Sequence, residues 1–123
     1  MAATLVDGLI RRQEILFLLQ SFAEFFRATT RKRVLTAEAS RAFVDGWWSV
    51  APSAAYEAAD LFAAMDAVIK HKLSPFDALI WATAERAGVT YFVTEDQQDG
   101  RRLGRVTFVD PFAVRNRALL GLD

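Results

Sequence analysis

Three short stretches of this chain gather carboxylates in patterns that can do chemistry. YFVTEDQQDG, residues 91 to 100, runs from apolar and aromatic residues into Glu95, Asp96 and Asp99, while Ser21-Phe-Ala-Glu24 and Ser74-Pro-Phe-Asp77 each set an acid three residues after a serine. The serine pattern is also that of a helix capping box. There the acid reaches back to an unpaired backbone N–H and gains roughly 0.3 to 1 kcal/mol from the helix dipole, which by itself explains Glu24 or Asp77. A crevice shared by Glu24, Asp77 and Asp96 would be different. Like charges held close raise one another's pKa unless a cation neutralises them, so the cluster implies a hard divalent metal. Such a metal lowers the pKa of bound water and stabilises a phosphoryl transition state, which suits phosphodiester hydrolysis.

The rest of the composition narrows the field to that chemistry. There is no cysteine and only one histidine, His71. Thiolate catalysis, disulfides and zinc ribbons are excluded, and a metal held by carboxylates is Mg2+ or Mn2+. His71 follows Lys70 at the polar end of a helical run, with no GxSxG elbow in the chain, and reads as a solvated surface residue. Fifteen basic residues balance fifteen acidic ones, so a nucleic-acid partner has to be held by a local basic patch. At 123 residues and 53% apolar, the chain is expected to be a single domain over 1–123, with 113–123 as a C-terminal extension. Neither a signal peptide nor a membrane span is legible, and the expected location is the cytoplasm.

The elements that must position the acids follow from periodicity. Residues 2 to 12 read as a short helix, and Ile15 to Gln20 as a strand buried on both faces. Ser21 opens a helix to about Arg31, and Thr36 caps another through about Trp47, with a short strand over Trp48 to Ala51. Pro52 and Ser53 begin a long helix through about Lys70, whose inner side is Tyr56, Leu61, Phe62, Met65, Val68 and Ile69. Ser74 and Pro75 start a helix that ends at Gly88, and strands follow at 89–94 and 106–109. Strands separated by helices make an α/β domain with a mostly parallel sheet and helices on both faces. Glu24 and Asp96 then follow strands, at the sheet edge where ligand sites form.

SPFDALIWATAERAGVTYFVTEDQQDG followed by GRVTFVDPF resembles the C-terminal half of PIN-domain ribonucleases, particularly the VapC-type toxins of toxin–antitoxin pairs. ILFLLQSFAEFFRATTRK resembles their second strand and the helix bearing a glutamate, so the likeness covers about residues 13 to 112. It implies a three-layer α/β/α fold and a metal-dependent endoribonuclease. Glu24, Asp77 and Asp96 then take the family's second, third and fourth acidic positions, with Asp99 as an outer acid or simply a turn residue. The family's first strand, central in the sheet and ending in an aspartate, has no match. Asp7 in TLVDGLI is too near the next strand for a parallel crossover and reads as a helix-surface residue. Its absence leaves two neighbours with unpaired edges and a slot in the core. A shortened chain, a displaced start codon or a strand borrowed from a second chain each account for it.

The resemblance also implies partners: structured RNA such as tRNA, a cognate antitoxin and a second copy of the chain. Phosphate contacts are expected from Arg27, Arg31, Lys32 and Arg33, and from Arg101, Arg102 and Arg105, although charge runs are usually solvated faces. Phe22, Phe25, Phe26, Trp47 and Trp48 offer a dimer interface or an antitoxin groove. The alternative to the nuclease is a catalytically impaired PIN remnant acting as a protein-binding module. A receiver-like domain fits less well, because the acids sit on helix starts.

Overall fold

The computed structural model describes residues 2–12, 15–94, 99–110 and 113–120. Chain order is α1 (Ala2–Arg11), β1 (Phe17–Leu18), α2 (Leu19–Arg31), α3 (Ala37–Val50), β2 (Ser53–Ala54), α4 (Ala58–His71), α5 (Pro75–Arg86), β3 (Tyr91–Val93), β4 (Arg102–Leu103) and β5 (Val106–Val109). A 3-10 turn over Val114–Asn116 follows. The protein is therefore mixed α/β, rich in helix and with small sheets. Among the described residues no helix is long and apolar enough to cross a membrane.

Caps decide where the helices begin. Thr36 accepts from Ala39 N at 3.1 Å at the start of α3, and Ser74 accepts from Asp77 N at 3.3 Å at the start of α5, where Pro75 takes the first helical position. Gly88, at φ +79°, takes the left-handed position just beyond α5 that a side chain would resist. Elsewhere the expected boundaries move. Of the strand expected over 15–20 only Phe17 and Leu18 are extended, and α2 starts at Leu19, with Leu18 as an N-cap that makes no side-chain bond. A continuous apolar run suits a buried helical turn as well as a strand, and here the helix takes its end, Leu19 and Gln20.

The strand expected over 48–51 is mostly the last turn of α3, and the strand itself comes later, at Ser53–Ala54. α4 starts at Ala58 instead of Pro52, because a reciprocal capping box closes there. Glu57 N donates to Asp60 Oδ2 at 2.8 Å, and the Glu57 carboxylate accepts the third backbone N–H of the helix.

Two sheets form. β1 pairs with β2 in parallel, Phe17 opposite Ser53. β5 lies between β3, parallel to it, and β4, antiparallel to it, with Phe92 opposite Phe108 and Leu103 opposite Val106. The β4–β5 turn favours Gly104, whose φ of +59° side chains resist, and a Cβ there would also meet the tip of the Glu85 side chain, with Oε2 at 2.9 Å. That carboxylate oxygen accepts Arg105 N at 2.9 Å and so holds the hairpin tip against α5.

The core runs beneath these sheets. Ala64, Ala67, Ala78, Leu79, Ala82 and Phe108 are buried together, and Leu18, Ile80, Ala84 and Val106 form an adjoining cluster. α4 and α5 thus meet along alanines, and this close seam turns α4 away from the orientation its apolar stripe predicts. Phe62 is 64% exposed and Ile69 78%, with Tyr56, Leu61 and Met65 also outside the core. α2 and α3 pack differently, through rings. Trp47 lies 5.0 Å from Phe25, 5.6 Å from Phe17 and 5.7 Å from Phe43, centroid to centroid. The fully buried Ser40 of α3 also shares a 2.7 Å hydrogen bond with Thr29 of α2. Phe26 and Trp48 stay exposed at the margin of the ring cluster.

Candidate functional site

Asp77 occupies the first turn of α5, half-buried, with its own N–H donated to the Ser74 hydroxyl. Four orphan N–H groups and the positive end of the helix dipole favour a carboxylate there, whether or not it also binds a ligand. Its position matches the expected one.

Glu24 stands otherwise. With α2 beginning at Leu19, it falls in the second turn, no acid lies in the first, and the capping box expected from Ser21 does not form. Helix capping therefore no longer accounts for Glu24. It is exposed, and Arg27 and Arg31, three and seven residues on, share its stripe of the helix and are exposed as well. The α2 stripe thus carries an acid followed by two guanidinium groups, as a phosphate-contacting margin would need and as a solvated helix face also has. Lys32 and Arg33 extend it, with Arg33 at φ +55° where the helix ends.

Asp96 and Glu95 lie outside the described residues, so of the three proposed ligands the structure describes Glu24 and Asp77. Asp99 is described, and its oxygens are engaged. Oδ1 accepts Asp110 N and Asn116 Nδ2, both at 2.8 Å, and Oδ2 accepts Arg115 Nε at 2.6 Å and pairs with its terminal nitrogen. The backbone N–H of Asp110, the Asn116 amide and the Arg115 charge together hold this carboxyl below its ordinary value, against a smaller opposing effect of burial. Asp99 thereby ties the turn after β3 to the C-terminal 3-10 turn, a connection that its place in a D-G dipeptide did not announce.

The second basic group is also tied down in part. Arg101 donates to the His71 carbonyl at 3.0 Å, Arg102 Nε to the Gly104 carbonyl at 3.1 Å, and Arg105 Nε to Glu85 at 3.3 Å. Each still presents guanidinium surface, since Arg102 and Arg105 are exposed and Arg101 partly so. His71 is exposed at the end of α4, as expected.

Sequence reasoning missed one charged pair. Asp60 is only 3% exposed, and Arg86 Nε donates to both its oxygens, at 3.0 and 2.9 Å. Arg86 also donates to the Ala55 carbonyl at 2.8 Å. The pair clamps α4 to α5 and to the loop after β2. Its signal was available in E-x-x-D at Glu57 and Asp60, which is a cap pattern with an acid in place of the usual hydroxyl.

Among the described residues no three acidic, histidine or cysteine side chains come together to hold a metal ion. Glu24 and Asp77 alone do not make a site, and the fit of Mg2+ or Mn2+ turns on Asp96. No protein-family model matches the chain, and comparison with curated proteins and with solved structures finds no match.

Proposed function

We propose that the chain is a PIN-type, metal-dependent endoribonuclease, the toxin of a toxin–antitoxin pair, with Glu24, Asp77 and Asp96 as its metal ligands. What supports this reading is the order of strands and helices around the acids, with parallel pairing of β1 with β2 and of β3 with β5. β1 runs into α2, which bears Glu24; α5 opens on Asp77 and runs into β3; Asp96 follows β3 by three residues. Parallel α/β arrangements collect their ligand groups at the carboxyl ends of strands and at helix starts. The resemblance asks for these acids in this order and adds the finer three-layer PIN architecture.

The three carboxylates would hold Mg2+ or Mn2+, which supplies a water of lowered pKa and charge stabilisation at the phosphate. Arg27 and Arg31, exposed on the Glu24 stripe, would contact flanking phosphates of a structured RNA such as tRNA, with Arg101 and Arg102 as a second contact. Asp77→Asn decides between ligand and cap. As a cap residue its loss costs no more than about 1 kcal/mol of stability and leaves activity intact. As a ligand its loss lowers Mn2+-dependent RNA cleavage by about a hundredfold or more with the fold unchanged. Cleavage at the unmodified rate would remove Asp77 from the site.

A second reading is a catalytically impaired PIN remnant that binds protein, as a homodimer or as a sink for an antitoxin. The exposed Phe26 and Trp48 beside the ring cluster, and the exposed Phe62 and Ile69 of α4, favour it. Calorimetry separates the two, since a remnant takes up no Mn2+ and turns over no RNA, yet binds its partner.

A further inference from the structure

α2 and α3 form a helical hairpin in which α3 packs chiefly on α2. Thr29 meets Ser40 and Phe22 meets Trp47, so the two helices run antiparallel with Phe26 level with Phe43. Phe26 and Trp48 each stand one residue, about 100° of helix rotation, past an inward-facing ring, Phe25 or Trp47. In an antiparallel pair those two rotations lead to the same side. Both rings therefore share one side of the hairpin, Trp48 56% exposed and Phe26 40%. At 1.5 Å per residue they are offset by about 7 Å along its axis. Half-buried Val44, one turn before Trp48, shares that side.

The rings beneath give this side a firm backing, because Trp47 stacks on Phe17 and Phe22 and meets Phe25 edge-on. Cations stand at its rim. Exposed Arg41 precedes Trp48 by two turns on the same stripe, and exposed Arg27 comes next after Phe26 around α2. Arg41 pairs with Asp45 at 3.3 Å, both side chains well exposed, and such a pair is weak enough to yield to a phosphate. Over 19–50 five lysines and arginines stand against three acids, so this part is positive in a chain whose charges balance.

Size and charge decide the occupant. With up to about 250 Å² for a whole aromatic side chain, the exposed parts of the two rings and Val44 come to roughly 250 Å². An ordinary protein interface takes roughly 800 Å² from each partner, several times more. One base on each ring covers the patch, and guanidinium groups at the rim are what the strand's phosphates need. We propose that Trp48 and Phe26 are a stacking platform for unpaired bases of an RNA strand whose phosphates pass Arg41 and Arg27. The proposal rests on the reading of the chain as an RNA-cleaving protein and adds to it that the RNA is held at an unpaired stretch. Its readout is binding without metal, which is separate from turnover.

The test titrates the 123-residue chain, with EDTA present, with a short single-stranded oligoadenylate and with the duplex that oligoadenylate forms with oligouridylate. Tryptophan emission reports stacking. The single strand should quench it, and in Trp48→Phe the quench should vanish while affinity stays within about threefold. Trp48→Leu and Phe26→Leu should each weaken binding by about tenfold, with the urea midpoint of unfolding unchanged. The duplex offers no free base face and should leave the emission as it was. Unchanged affinity in both leucine variants overturns the platform and leaves the rings to a protein partner; equal quenching by the duplex overturns it as well. If Mn2+-dependent cleavage still requires Asp77 in either case, the ribonuclease reading stands without the platform. Absence of both binding and cleavage in the unmodified chain removes the two together.

Discussion

Removing Arg86 isolates a buried carboxylate, and the structure sets the size of the effect. Asp60 is 3% exposed and receives Arg86 Nε on both oxygens, with Glu57 N at 2.8 Å as its other donor. Arg86→Met keeps the aliphatic stem and deletes the charge. Breaking a buried pair from one side costs about 3 to 5 kcal/mol, because the remaining charge is left without compensation. The side chain of Arg86 is 36% exposed, so water reaches part of the vacated space, and Glu57 N remains; the lower end, about 3 kcal/mol, is expected.

With a urea slope near 1.5 kcal/mol/M, the unfolding midpoint should fall by about 2 M, followed through the fluorescence of the tryptophans. Asp60→Asn added to Arg86→Met should recover part of the loss. A midpoint shift under about 0.5 M, or a double variant no better than the single one, would refute the clamp.

Two further outcomes follow from the same geometry. Gly104→Ala places a side chain at φ +59° with its Cβ 2.9 Å from Glu85 Oε2, and should cost about 2 kcal/mol in chemical denaturation. In a Glu85→Ala background only the backbone part, about 1 kcal/mol, should remain. The Asp99 carboxyl is held below its unfolded value of 3.8, so its contribution is complete above that pH and is lost as pH falls through the folded value. Hydrogen exchange at Asp110 and Asn116 should accelerate in that acid window, and Asp99→Asn should abolish the pH dependence while weakening the tie at neutral pH.

Local signals were legible wherever one residue type does one job. Thr36, Ser74 with Pro75, and Gly88 mark helix ends through their own side chains or φ preferences, and the β-branched run Val106–Val109 is the strand it reads as. Asp77 could be placed from sequence for that reason. Glu24 could not, because Ile15 to Leu19 is apolar without a period and leaves the start of α2 undetermined by two residues. α4 shows the limit most clearly. Its large apolar residues form one stripe, and pattern alone turns that stripe inward.

The chain by itself determined its five helices in order, the strands before and after the last acids at 91–93 and 106–109, the absence of cysteine and the order of its acids. Tertiary structure decided which faces meet. Ala64, Ala67, Ala78 and Ala82 let α4 and α5 approach closely, and the Asp60–Arg86 pair locks that seam. Phe62 and Ile69 consequently face outward, although they are far more apolar. Close approach through small side chains is a property of two helices together and is invisible in either one.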